Sequence, residues 1–209
     1  MENTSWSEIE KRNKAALVCY IITIAVISLA YLLEVFKGNR TVVYFIVDFL
    51  LMWVPGVLAL VTNKMDGMQE KVKYIILFGF VIPWGFMLFT ASNNLVFTYA
   101  LVLMIGLNAY ANRNFALITA IVFNVVNVAG VIYIFVATET DSEDVVSAEI
   151  QILLLLLCGF FNVFIAKTGV IINTEKLQEL NDEKNHTANI LNQVMNVSAE
   201  LTTGIEDVT

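Results

Sequence analysis

Residues 150–209 read IQILLLLLCGFFNVFIAKTGVIINTEKLQELNDEKNHTANILNQVMNVSAELTTGIEDVT, and the way this stretch changes character decides the fold. Ile150–Ile172 is apolar, without proline, and long enough to cross about 30 Å of hydrocarbon at 1.5 Å per residue. From Asn173 the chain turns polar, Asn-rich and charged, again without proline. A heptad phased on Leu177 places Leu177, Leu180, Lys184, Thr187, Leu191, Val194, Ser198, Leu201, Ile205 and Val208 on one seam. Apolar residues dominate that seam, with Glu175, Lys176, Glu179, Asp182 and Glu183 on its flanks, which is the pattern of a coiled coil softened in its middle. An amphipathic helix lying on the membrane would want a basic polar face, whereas Asn173–Thr209 carries two lysines against seven acids. The same phase runs back through Gly159, Ala166 and Asn173. Small residues on a helix seam let backbones approach closely in lipid, so the sequence predicts a homodimer seam of Gly159, Ala166, Leu177, Leu180, Leu191, Val194 and Leu201. The plainer alternative packs Gly159 and Ala166 against another helix of the same chain.

Five more apolar runs precede this one: Ala15–Phe36, Val42–Val61, Tyr74–Thr90, Leu95–Tyr110 and Phe115–Ala137. None alternates polar and apolar residues as a membrane β-strand would. The predicted fold class is all-α: a six-helix transmembrane bundle with a cytoplasmic coiled-coil extension from helix six. Residues 1–14 form a cytoplasmic N-terminal segment, 15–172 the membrane domain and 173–209 the cytoplasmic helix. Ser28-Leu29-Ala30 resembles a signal-peptide cleavage site, but the apolar run continues past it, so the first run is read as a retained helix. Composition agrees: 58% hydrophobic and 15% charged, where a soluble domain has about 45–50% and about 25%. A net charge of −7 with no basic face excludes nucleic-acid binding. Cys19 and Cys158 lie in apolar runs and the single His186 lies in the tail, so no disulfide framework, metal site or cofactor is expected.

Lys11, Arg12, Lys14, Lys64, Lys71, Lys73, Arg113, Lys167, Lys176 and Lys184 fall on one side of such a bundle, against Lys37 and Arg40 on the other. The positive-inside rule then puts both termini in the cytoplasm of a multi-pass inner-membrane protein, with the acidic loop Thr138–Ser147 outside. The four-residue connections Ala91–Asn94 and Ala111–Asn114 make helices three, four and five antiparallel neighbours. Prolines break only helices two and three, at Pro55 and Pro83, which argues against an inverted-repeat transporter.

The chemistry for an enzyme is absent: no Gly-x-Ser nucleophile with a membrane histidine, no paired aspartates, and no kinase phosphoacceptor pattern around His186. Polar residues within the spans remain. Asp48 lies about two turns below the outer end of helix two, where a carboxylate is costly unless paired or wet. Asn124 and Asn127 share a face of helix five, Asn162 is central in helix six, and Trp84 follows Pro83. These five residues are the candidate ligand site, a pocket open to the outside in which Asp48 receives a cation or polar group of an unknown small ligand and Trp84 gives an aromatic wall. The competing reading makes the asparagines interhelical glue.

The stretch Asn185–Val208 resembles the opening of the cytoplasmic helix of bacterial methyl-accepting chemotaxis proteins, of the clostridial kind that joins a multi-pass membrane region directly to the signalling helix. The resemblance implies a sensor that controls a bound histidine kinase and adaptor through a hairpin tip downstream of Thr209. The chain departs from that family in having no tip and no adjacent Glu/Gln methylation pair; Glu200 and Glu206 are not read as such sites. The alternatives are a membrane anchor for another output, a cyclase or histidine kinase, and a small transporter using Asp48.

Overall fold

A computed structural model of the chain describes residues 2–65, 69–90, 94–137 and 141–206, with side chains described over 8–198 apart from residue 94. Leu201, Ile205 and Val208 of the heptad therefore lie outside the described side chains, as does the Glu139 part of the acidic loop. Among the described residues the structure is all-helical: α1 Glu2–Phe36, α2 Val42–Asn63, α3 Val72–Thr90, α4 Thr98–Leu107, α5 Arg113–Ala137 and α6 Ser142–Glu206. It forms two compact units, Met1–Lys167 and Thr168–Thr209.

Among the described residues five helices are long and apolar enough to cross a membrane, and α1 shows how their faces divide. Ala16, Leu17, Tyr20, Ile24, Ile27 and Tyr31 recur at helical spacing and are buried, whereas Val18, Ile22, Val26, Leu29 and Leu33 recur on the opposite face and are exposed. An outward stripe of branched aliphatic residues belongs against lipid, not water. The fourth segment is short: Leu95–Tyr110 is apolar, but its α-helical part is only Thr98–Leu107. Tighter 3₁₀ turns, Asn94–Phe97 and Asn108–Tyr110, flank it. Because a 3₁₀ residue rises about 2.0 Å, the segment laid end to end reaches about 29 Å, close to the hydrocarbon thickness.

α3 is the most enclosed span and packs against α1, α2, α4 and α5. Two prolines and one tyrosine organise its contact with α2. Pro55 of α2 and Pro83 of α3 are inside helices and lack an N–H, so the carbonyl four residues earlier loses its helical donor. For Pro83 that carbonyl belongs to Gly79. The buried Tyr20 hydroxyl of α1 donates to the Met52 carbonyl at 2.6 Å and lies 3.4 Å from the Gly79 carbonyl. One side chain thereby ties three helices beside their weakened turns. At Gly79 the backbone is so close to Pro55 that no side chain fits between.

Turn chemistry closes the helix ends. Gly38, at φ +78°, ends α1 in a Schellman motif, its N–H reaching Val35 and that of Asn39 reaching Glu34, both at 3.0 Å. Thr41 caps α2 by accepting from the Tyr44 N–H. Asp141 caps α6, accepting from Glu143 and Asp144 N–H groups at 2.9 Å, while Asp144 accepts from the Asp141 N–H at 3.3 Å. Part of the acidic loop thus serves as a helix cap.

Residues 2–14 belong to the same helix as the first apolar run, since α1 begins at Glu2; Glu8–Arg12 and Glu10–Lys14 pairs at i,i+4 carry the helix through its polar end. The membrane half of the expected dimer seam faces inward. Gly159 is buried, and a Cβ there would sit 3.2 Å from that of Ala120 on α5, while Ala166 is 2% exposed. Leu156 of the same phase is 52% exposed, so within the single chain the two small residues are buried while their seam neighbour is not.

Candidate functional site

Asp48 is fully buried on α2, and among the described residues neither carboxylate oxygen has a hydrogen-bond partner. Tyr31 of α1 and Tyr99, in the second residue position of α4, lie within electrostatic reach of it. Tyr31 stacks on Tyr44 at 5.8 Å, and Tyr44 stacks on Phe86 of α3 at 5.2 Å. The Tyr44 hydroxyl shares a 2.7 Å hydrogen bond with Thr90, whose hydroxyl also donates to the Phe86 carbonyl. Arg40 lies over the Tyr44 ring at 4.6 Å. Two tyrosines thus lie near the acid, and one of them continues into a Tyr31–Tyr44–Phe86 stack at the end of the bundle where the α1–α2 turn lies.

An aspartate buried in an apolar span is costly unless it is paired, wet or protonated, and among the described residues neither of its oxygens has a hydrogen-bond partner. The arrangement can do one thing well. It can accept a cationic or hydrogen-donating group, with the tyrosine rings supplying cation–π faces.

The other predicted site residues do not join it. Trp84 is fully buried; its Nε1 donates to the Val96 carbonyl at 3.0 Å and its ring meets Phe123 edge-on at 5.2 Å. It braces α3 to the turn entering α4. Trp84 is thus engaged with Val96 and Phe123. The asparagines are glue between α5 and α6. Asn124 Nδ2 donates to the Ala120 carbonyl at 2.8 Å and to that of Leu155 at 3.3 Å. Asn162 Nδ2 donates to the Ala116 carbonyl at 3.2 Å, and Asn127 accepts from Gln151. All three face the helix interface because an apolar surroundings leaves a polar amide no better partner.

In the second unit, Leu177, Leu180, Leu191 and Val194 are each about 60% exposed in the single chain. Leu180, Lys184, Thr187 and Leu191 border one shallow groove, so these seam positions share a face.

The sequence reading missed Tyr31, Tyr99 and Gln151. Their signal was available: each is a polar-tipped side chain inside an apolar run, the same criterion that singled out the asparagines. Neither protein-family models, nor curated proteins, nor solved structures show a match to this chain. Among the described residues the fold is all-helical, with five helices long and apolar enough to cross a membrane, a buried acid and a long sixth helix.

Proposed function

We propose that the chain is the membrane-embedded sensory input region of a chemotaxis-type receptor. In this reading it works as a homodimer in the bacterial inner membrane, with both termini cytoplasmic. A small ligand from outside changes the packing around Asp48, and the tail, as a coiled coil, passes that change to a histidine kinase and its adaptor. The observation that carries the reading is that one helix, α6, includes both residues packed on α5 and the heptad of exposed leucines. A transporter has no need of the second half of such a helix. The Asn185–Val208 resemblance supports a kinase-controlling output over a cyclase.

Two experiments test it. With residues 1–209 joined to the signalling hairpin of a chemotaxis receptor, Asp48→Asn should express near the wild-type level, because no partner is lost. Its kinase activity should shift by about fivefold or more, the lower end of ordinary allosteric coupling. Unchanged kinase activity, with cation uptake into vesicles abolished by the same substitution, would replace sensing with transport. For topology, single cysteines are placed at the exposed Ser142 and Lys71 after Cys19 and Cys158 become serine. In intact cells an impermeant thiol reagent should label position 142 and spare position 71; the opposite result reverses the orientation.

A further inference from the structure

Three segments far apart in sequence meet at the end of the bundle opposite the α1–α2 turn. There the N-terminal part of α1, the 3₁₀ turn Gln69–Lys71 with the start of α3, and the Tyr110–Asn112 turn enclose a cleft of about 140 Å³. Arg12, Asn13, Glu70, Lys73 and Tyr110 line it. Arg12 is held in place by a 2.7 Å hydrogen bond from Nη1 to the Tyr110 carbonyl, and its other terminal nitrogen lies 3.5 Å from the exposed Glu8 carboxylate. The Lys73 ammonium lies over the Tyr74 and Phe115 rings at 5.2 and 5.8 Å, and among the described residues it pairs with no carboxylate.

The buried groups are the telling feature. Asn13 is completely buried, and its amide nitrogen donates to Asn63 Oδ1 and to the Gln69 carbonyl, both at 2.9 Å. Those two bonds fix the amide, yet its Oδ1 is left without a donor. The Tyr110 hydroxyl, in a residue 6% exposed, also has no partner. A buried polar atom without a partner costs about 1–3 kcal/mol, and the two residues that carry these atoms line one cleft with two cations.

We propose that this cleft binds a phosphate group bearing a small hydroxylated substituent, the chemistry of a glycerol phosphate headgroup. Arg12 and Lys73 neutralise the phosphate, Arg12 through its planar fork and Lys73 as a point charge. The hydroxyls of the substituent donate to Asn13 Oδ1 and Glu70, and the Tyr110 hydroxyl donates to a phosphate oxygen. The volume is close to the ~150 Å³ of an engineered cavity that admits benzene, so a phosphate with a short alcohol fills it with one end open. The same group can come from an anionic phospholipid in the adjacent leaflet or from a soluble ester; basic pockets between helix ends are a recurring site for the former.

The test uses delipidated full chain in a zwitterionic detergent and follows its thermal unfolding midpoint, because a ligand that binds only the folded state raises it. Phosphatidylglycerol, phosphatidylcholine and soluble glycerol phosphate are added separately. Phosphatidylglycerol should raise the midpoint by several degrees where phosphatidylcholine does not. Lys73→Gln, which gives up no hydrogen bond or ion pair in the fold, should lose most of that rise relative to its own lipid-free midpoint. Arg12→Gln should lose it as well, from a lower starting midpoint. A rise with glycerol phosphate alone, lost in Lys73→Gln, assigns the site to a soluble ester. No rise with either ligand, or a full rise retained in Lys73→Gln, overturns the proposal.

Discussion

Single cysteines at Leu177 and Leu191 should oxidise to covalent dimers in native membranes, whereas cysteines at Glu179 and Asn192 should remain monomeric. All four positions are exposed in one chain, so access does not separate them; only a specific interface does. Leu177, Leu180, Leu191 and Val194 expose about 60% of their surface each, along a heptad that returns to one face. At about 25 cal/mol per Å², covering leucines of this kind on two chains yields a few kcal/mol, enough to hold a tail already gathered by a shared membrane. Lys184 and Thr187 interrupt the seam at consecutive core positions, which would keep the proposed dimer from being rigid. A switch needs two packings separated by a few kcal/mol, and this weak midsection provides the place for them. Gly159 packs on α5 and Ala166 is buried within the chain, so the proposed dimer is tested at the exposed tail positions. Equal cross-linking at all four positions, or at none, removes the dimeric coil and with it the main support for a receptor.

The sequence located the apolar runs well because each obeys one rule, that a backbone in hydrocarbon must satisfy itself. It was less informative where two rules compete. Hydropathy starts the first run at Ala15, but ion pairs and helix propensity extend α1 back to Glu2. The fourth run looked short for a span because 3₁₀ geometry at its ends has no hydropathy signature. Among site residues, Asp48 stood out as a charge in an apolar run, and the structure leaves it buried and without a partner. The asparagines stood out equally, yet their role depends on which backbone carbonyls face them, and that follows from helix packing alone. Arg12 and Lys73 were legible only as positive charges to be counted. Their meeting around Asn13 is a property of three segments brought together, with no local pattern to announce it.

Gly79→Ala and Gly85→Ala should change stability in opposite directions, although both lie in α3 two turns apart and both make the same chemical change. Within a helix, alanine is favoured over glycine by about 1 kcal/mol, so propensity alone predicts that both substitutions stabilise. At Gly85 nothing opposes this, since the new Cβ would lie 3.5 Å from Val126 Cγ1, an ordinary contact. At Gly79 the Cβ would overlap the Pro55 ring, which is rigid and fixed in α2, so the two helices must separate. Overpacking of a tight contact costs about 1–3 kcal/mol, and here separation also forfeits the packing that holds helices together in lipid. It further pulls the Gly79 and Met52 carbonyls away from the single Tyr20 hydroxyl that sits between them. Net destabilisation of about 2 kcal/mol lowers the unfolding midpoint of a chain this size by roughly 4–8 °C, whereas Gly85→Ala should raise it slightly. Detergent-solubilised protein, heated and assayed for the folded fraction by size exclusion, gives both numbers in one experiment. If Gly79→Ala matched Gly85→Ala, the α2–α3 contact would not be the close one described, and the placement of Asp48 on α2 would lose its anchor.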